Sequence, residues 1–331
     1  MAEDAEEEDT RSARAFWVVA PGVGEIRAEA LPEPSAVDVV VRARYSGISR
    51  GTESLIFRGC VPASEYQRMK APFQAGELPG AVKYGYSNVG TVELGPPAIR
   101  GRDVFTLYPH QTRYVVPVDG VHILPAGVPA ERAILAANME TAVNGVWDAD
   151  PRPEDRITVV GGGTVGCLTA WAAARLVGCA VELVDTNPAR EAVARALGVA
   201  FSRPATAATG VPIVIHASGS PAGLELALAI AAFEATIVEM SWYGSQPVAV
   251  PLGGAFHSQR LTIRSSQVGH VARPKRHEFD RNRRMALAIS LLAEPKLDVL
   301  ITGESRFDDL PRTMARLAGA PGDELCHRIR Y

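Results

Sequence analysis

The chain has 331 residues, 21% of them charged and 47% hydrophobic, which is the balance of a soluble globular protein of about two domains. Its net charge of −3 becomes +3 once the six acids of the opening MAEDAEEEDT are set aside, so the body is nearly neutral and offers no electrostatic footprint for nucleic acid. Four scattered cysteines without C-x-x-C spacing (Cys60, Cys167, Cys179, Cys326), an acidic start and no run of about 18 apolar residues argue against a disulfide framework, a structural zinc, a secretory leader and a membrane span, leaving a cytoplasmic protein as the expectation.

Residues 1–12 read as a disordered, solvated acidic tail. Phe16 to Ala20, a Pro21-Gly22 turn and Val37 to Tyr45 alternate in the manner of strands. Tyr45 to Gly59, YSGISRGTESLIFRG, is expected to leave the strand as a polar loop rich in Ser, Thr and Gly. Lys83 to Val92 returns to a strand, and Val104 to Val116 forms two strand pieces around a Pro109-His110 turn. Short alternating runs between frequent turn residues predict a compact, mostly β domain. From Pro129 the period changes, and Ala130 to Trp147 has the composition of a helix.

Arg156 to Asp185 carries the strongest signal in the chain. A β-branched run, Ile157 to Val160, leads into Gly161, Gly163 and Gly166, which form G-x-G-x-x-G. An Ala-rich helical segment follows, and a second strand, Ala180 to Val184, ends at Asp185. Gly161 permits the tight turn, Gly163 lets backbone approach a pyrophosphate, and Gly166 lets helix pack on strand. The first helical N–H groups, at Thr164 and Val165, face phosphates at the positive end of the helix dipole. Asp185, 19 residues after Gly166, is placed to accept from the adenosine ribose, and Arg190 is near enough in sequence to pair with a 2′-phosphate. NAD is therefore the expected cofactor, with NADP as the alternative.

Beyond Asp185, Asn187, Pro188 and Gly198 predict the cap, first turn and end of a helix. Val211 to Ala217 is a buried strand with Ser218-Gly219-Ser220 at its tip, where Ser218 is a further candidate for the cofactor. A helix (Leu224 to Phe233), two strands (Ala235 to Met240, Leu261 to Ser265) and an amphipathic helix (Met285 to Leu292) follow. Alternation of this kind gives the α/β class, with a Rossmann doubly wound parallel sheet.

The order of these parts resembles the medium-chain dehydrogenase/reductase superfamily. VVGGGTVG, the strand end VELVD, FHSQRLTIRSSQVG and LDVLITGESRFDDLP carry the resemblance, which in detail points to the branch containing bacteriochlorophyllide hydroxyethyl dehydrogenases. It implies a β-rich, GroES-like catalytic domain of residues 13–135 together with 268–331, and a Rossmann domain of residues 136–267. It also implies hydride transfer between nicotinamide and an alcohol or carbonyl carbon of a small or medium-sized substrate; the charge and hydropathy above exclude nucleic acid and membrane as expected partners, and the oligomeric state stays open, a homodimer among the alternatives. Reduction of an activated C=C bond, and nucleotide binding without turnover, are the alternatives.

Zinc members of the superfamily carry a Cys in an early loop and a Gly-His-Glu further on. Here Ser49, Tyr86 and Ser87 stand at those positions, and hydroxyls and a phenol are poor zinc ligands, so no zinc is expected. Tyr86 and Ser49 become the candidate donors to the substrate oxygen, with His110 as a proton carrier. Arg50, Thr52 and Glu53 share the loop of Ser49, and Glu140 and Asn144 lie four apart on one helix face as weaker candidates.

Overall fold

The structure is a computed structural model that describes residues 12–320 and 322–331. Of the expected acidic tail, residues 1–11 lie outside the described residues. The chain forms two compact units, one of residues up to Ala137 together with Ile301–Tyr331, the other of Asn138–Leu300.

The first unit opens with strands β1 (Ser12–Ala20), β2 (Val23–Ala30) and β3 (Asp38–Ile48), then helix α1 (Arg50–Phe57). Six short strands follow: β4 (Ala75–Gly76), β5 (Val82–Lys83), β6 (Asn88–Leu94), β7 (Asp103–Thr106), β8 (Arg113–Pro117) and β9 (Val121–Ile123). The one-turn helix α2 (Ala130–Ala133) precedes α3 (Ala136–Ala149), which begins the second unit. That unit then runs β10 (Arg156–Val160), α4 (Thr164–Ala173), β11 (Ala180–Val184), α5 (Arg190–Leu197), β12 (Ala200–Ser202), β13 (Val211–His216), α6 (Pro221–Ile230), β14 (Ala231–Glu239), β15 (Thr262–Ser265) and α7 (Arg281–Leu291). The chain returns to the first unit through β16 (Ile301–Arg306), α8 (Leu310–Gly319) and β17 (Cys326–Arg330).

In the first unit β1 and β2 form an antiparallel hairpin, closed by Pro21-Gly22 with Gly22 at φ 77°, a conformation that favours glycine. The larger sheet is built on β3, which pairs antiparallel with β6, β8 and β17; only its β16–β17 edge is parallel. Alternate residues of β3, Val39 and Val41, turn inward and pack with Val92, Val104, Tyr114 and Val116, as the period-two pattern requires.

The second unit holds a six-stranded sheet in the order β12-β11-β10-β13-β14-β15, parallel throughout. Buried Val160, Val214, Leu224, Leu228, Ile230 and Ile237 form a core where α6 lies on the sheet. The order reverses between β10 and β13. In open parallel sheets the crevice at that reversal, at the carboxyl ends of the strands, is where dinucleotides lie.

Two expectations need correction. Tyr45 to Gly59 is not a loop throughout: α1 occupies its second half, and Leu55, Ile56 and Phe57 bury that turn. Residues 268–300 belong to the second unit, so the return to the first begins at Ile301 and not at 268. The reason is Arg284 on α7, only 1% exposed. Its guanidinium reaches Glu140 Oε1 at 3.0 Å, Asn144 Oδ1 at 2.5 Å and the Val268 carbonyl at 2.5 Å, which fastens the segment to α3. Glu140 and Asn144, weighed above as site candidates, are spent on this anchor; Asn144 Oδ1 also accepts from the Ala272 N–H at 2.9 Å.

Candidate active site

The nucleotide side of the site is built where β10 meets α4. Gly161 lies at φ 110°, and a Cβ there would stand 2.6 Å from the Ser218 backbone at the end of β13. A Cβ on Gly166 would come within 1.8 Å of the Gly161 carbonyl, so only glycine allows the first turn of α4 to sit this close to the strand. Gly163, the N-cap of α4, differs: a Cβ there would meet nothing within 4 Å. Two glycines thus close the turn, and the third leaves open space in front of the N–H groups of Thr164 and Val165, at the helix end suited to phosphate.

Asp185 stands at the end of β11, beside this turn. Its Oδ2 accepts from the Gly162 N–H at 2.6 Å and its Oδ1 from the Asn187 N–H at 2.7 Å, so the carboxylate is fixed in direction. Arg190, predicted as a phosphate partner, is buried; its Cγ lies 3.1 Å from where a Gly162 Cβ would stand. Cys167 is packed under the turn, where burial pushes its thiol up to about 12, out of the reactive range.

The structure adds a group here that the sequence pattern did not single out. His216 and Glu239 are register partners on adjacent parallel strands, β13 and β14. His216 is fully buried; its Nδ1 lies 2.7 Å from Glu239 Oε2 and its Nε2 2.6 Å from Ser218 Oγ. The Ser241 N–H donates to Glu239 Oε1 at 2.7 Å and the Tyr243 hydroxyl to Oε2 at 3.1 Å. Burial opposes ionisation of Glu239, but these hydrogen bonds outweigh it and hold the carboxyl below its usual range. Glu239 and the Ser218 hydroxyl thus hold the two ring nitrogens of His216, and Ser218 Oγ also accepts from the Ser220 N–H at 3.1 Å. The Ser218 hydroxyl is therefore oriented by the buried imidazole and, through it, by the half-buried Glu239 carboxylate. A His two residues before Ser218 on a strand was the available signal, because period two puts both on one face.

In the first unit the three predicted residues converge. Ser49 caps α1, and its N–H donates to Glu53 Oε1 at 2.7 Å while the Glu53 N–H donates to the Ser49 carbonyl at 2.9 Å. The half-buried Tyr86 hydroxyl is hydrogen-bonded to the side chains of Ser49 and Thr52. Burial, with the Glu53 carboxylate as the second cause, pushes the Tyr86 phenol up to about 12, so it keeps its proton at neutral pH. Tyr84 packs edge-on against it at 6.0 Å between ring centroids.

Behind Tyr86 runs a buried polar chain. Glu53 Oε2 lies 2.8 Å from His110 Nε2, His110 Nδ1 lies 2.7 Å from Ser46 Oγ, and Ser46 Oγ lies 2.9 Å from the Tyr331 hydroxyl. His110 is 1% exposed and both its nitrogens are engaged, so any part it plays runs through Glu53 or Ser46. Ser87, at the third zinc-ligand position, is buried and donates to the Ile134 carbonyl. Among the described residues no group of three His, Cys, Asp or Glu side chains converges as metal ligands would.

No protein-family model matches the chain. A 2-dehydro-3-deoxy-L-galactonate 5-dehydrogenase of Pseudoalteromonas atlantica is 25% identical over 225 residues, 64% of this chain and 62% of that protein, so this match spans less than two thirds of the relative. A D-guloside 3-dehydrogenase of Escherichia coli is 24% identical over 317 residues, 86% of this chain and 87% of that protein. Among solved structures, a protein described as a short chain alcohol dehydrogenase of Escherichia coli, complexed with NADH, superposes with a TM-score of 0.77 at 18% identity, over 97% of this chain and all of that one. A superposition of that extent shows the fold: a parallel Rossmann-like unit and an antiparallel β-rich unit.

Proposed function

We propose that this chain is an NAD(P)-dependent dehydrogenase of the medium-chain type. It would move a hydride between nicotinamide and a secondary alcohol or carbonyl carbon, with hydroxyl donors in place of zinc. The observation that carries the reading is the β10–α4 turn, closed by Gly161 and Gly166 and left open at Gly163. That cradle fits a dinucleotide: a side chain would fill the space where backbone N–H groups must meet phosphate. Thr164 and Val165 would face the pyrophosphate, Asp185 the adenosine ribose, and Ser218 a neighbouring hydroxyl. When bound, the cofactor supplies the hydride chemistry.

The chain's own share is to polarise the reacting oxygen and manage its proton. Tyr86 suits the first task, since its raised phenol remains a donor across the physiological range. Ser49 sits in contact with it as a second donor, and Glu53, with His110 behind, can stabilise or relay the proton. The donor set supports a metal-free reaction, because hydroxyls and a phenol are poor zinc ligands and Ser87 is committed to a backbone carbonyl.

For the substrate, the names of the two curated relatives, a 2-dehydro-3-deoxy-L-galactonate 5-dehydrogenase and a D-guloside 3-dehydrogenase, support a secondary alcohol of a sugar or sugar acid. A hydroxyethyl group on a large ring, as in the branch the sequence resembles, is also a secondary alcohol, so that chemistry is common to both. The test is titration with NADH and NADPH, followed by turnover on a panel of sugars, polyols, ring-borne secondary alcohols and enones. Binding of neither cofactor would end the dehydrogenase reading, and turnover of enones alone would transfer it to C=C reduction.

A further inference from the structure

The β16–α8–β17 return of the first unit frames a half-open cavity of about 470 Å³ that contains none of the residues assigned above. Its volume falls in the range of small-molecule sites. Its lining is unusual for one. Arg306, Arg312, Arg316 and Arg330 face it, opposed by the carboxylates of Glu304 and Asp309, which leaves a positive excess.

The excess is concentrated. Asp309 is taken by Arg312 at 2.8 Å, Arg316 by Glu324 at 2.5 Å, and Glu304 by Arg328 at 2.5 Å. Arg330 reaches Glu304 only at 4.0 Å, and the Arg306 guanidinium has no partner among the described residues. These two are register partners on the parallel strands β16 and β17, so their side chains share one face. Like charges placed side by side on neighbouring strands destabilise a sheet unless something neutralises them.

Around the β16 edge, on the face opposite Arg306 and Arg330, the lining continues as a connected polar chain: Thr313 Oγ1 to Ser305 Oγ at 3.1 Å, Ser305 Oγ to His327 Nε2 at 2.9 Å, and His327 Nδ1 to Glu324 Oε1 at 3.1 Å. Gly303 makes room for it, because a Cβ there would stand 2.0 Å from Glu324 Oε1. Among the described residues no aliphatic, phenyl or indole side chain lines the cavity, and the one ring among them, His327, is buried and engaged at both nitrogens.

We propose that this cavity binds a phosphate ester of a hydroxylated, non-aromatic small molecule, a sugar phosphate in class. Arg306 and Arg330 take the phosphate, for which guanidinium geometry is suited. The paired carboxylates and the Ser305 and Thr313 hydroxyls meet the ligand's hydroxyls. A nucleotide is disfavoured because, among the described residues, no aromatic side chain in the lining is free to stack on a base, and the guanidinium planes that could do so face the phosphate or are held in ion pairs. A bare inorganic anion would leave most of the volume and the acceptors unused.

The probe is glucose 6-phosphate, titrated calorimetrically into the full chain, with glucose, inorganic phosphate and AMP as comparisons. Saturable one-to-one binding, at least tenfold tighter than any comparison, is expected. Arg306→Glu and Arg330→Glu should each weaken it about tenfold or more, as loss of a charge-assisted contact does, with thermal melting showing that both variants fold. Glucose 6-phosphate binding no tighter than glucose, or unchanged in both variants, would overturn the site. Inorganic phosphate binding equally well would overturn the sugar part, and tighter AMP binding would overturn the non-aromatic part.

Discussion

In the proposed reaction Tyr86 would donate to the substrate oxygen, and its surroundings suit it to donation more than to ionisation. Burial and the Glu53 carboxylate raise its phenol to about 12. The donor is lost only as pH rises through about 12, so the rate should show no tyrosine ionisation near pH 10. Tyr86→Phe should lower kcat by on the order of 10²–10³, the usual effect of removing one preorganised donor, while the NADH dissociation constant stays unchanged. Undiminished kcat would remove Tyr86 from the mechanism and leave the cofactor reading standing. In the second unit, the Asp185 carboxylate is pinned by the Gly162 and Asn187 N–H groups and cannot turn away from a 2′-phosphate. NADH should therefore bind more tightly than NADPH by about tenfold to a hundredfold, roughly 1–3 kcal/mol. Fluorescence titration of both cofactors measures this, and parity would show that Arg190 or another cation offsets the acid.

Among elements, the β10–α4 turn separates structural glycines from the one that serves a ligand. Gly161→Ala adds a Cβ at φ 110° and 2.6 Å from the Ser218 backbone, and should cost on the order of 3 kcal/mol of stability. Gly163→Ala meets open space, so it should cost within about 1 kcal/mol while weakening NADH binding by about tenfold or more. Denaturant unfolding and cofactor titration of the two variants read the contrast; a Gly163→Ala protein that binds NADH normally would mean that no ligand approaches there. This turn was legible in the sequence because its strand, glycines, helix and acid are contiguous. Helix α1 was not: SRGTES carries no apolar period, and only Leu55, Ile56 and Phe57 at its end are buried apolar residues. The His216–Glu239 pair was not legible either. It exists through the register of two parallel strands, and a crossover connection of this kind fixes that register only in three dimensions.

For the whole molecule, the sequence revealed that a β-rich part, a Rossmann part and a C-terminal return follow one another, but not where the return begins. Motif resemblance put it at 268, whereas the buried Arg284 holds residues 268–300 to the second unit, and the contacts that decide it lie up to 144 residues apart. Arg284→Ala would strand the buried Glu140 carboxyl, whose pKa burial already raises despite the arginine. That variant should lose about 3–5 kcal/mol, and the double change Arg284→Met with Glu140→Gln noticeably less, because the second leaves no charge unpaired; equal losses in urea unfolding would mean that the anchor is packing alone. The proposed activity depends on both units, a dinucleotide cradle in one and hydroxyl donors in the other. The most direct measurement of it is cofactor turnover on sugars and other secondary alcohols by protein whose zinc content has been determined on the same sample. Reversible NAD(H) turnover at far less than one zinc per chain, indifferent to a chelator, is the predicted result; stoichiometric zinc with activity lost to the chelator, or no turnover with any alcohol or carbonyl, would contradict it.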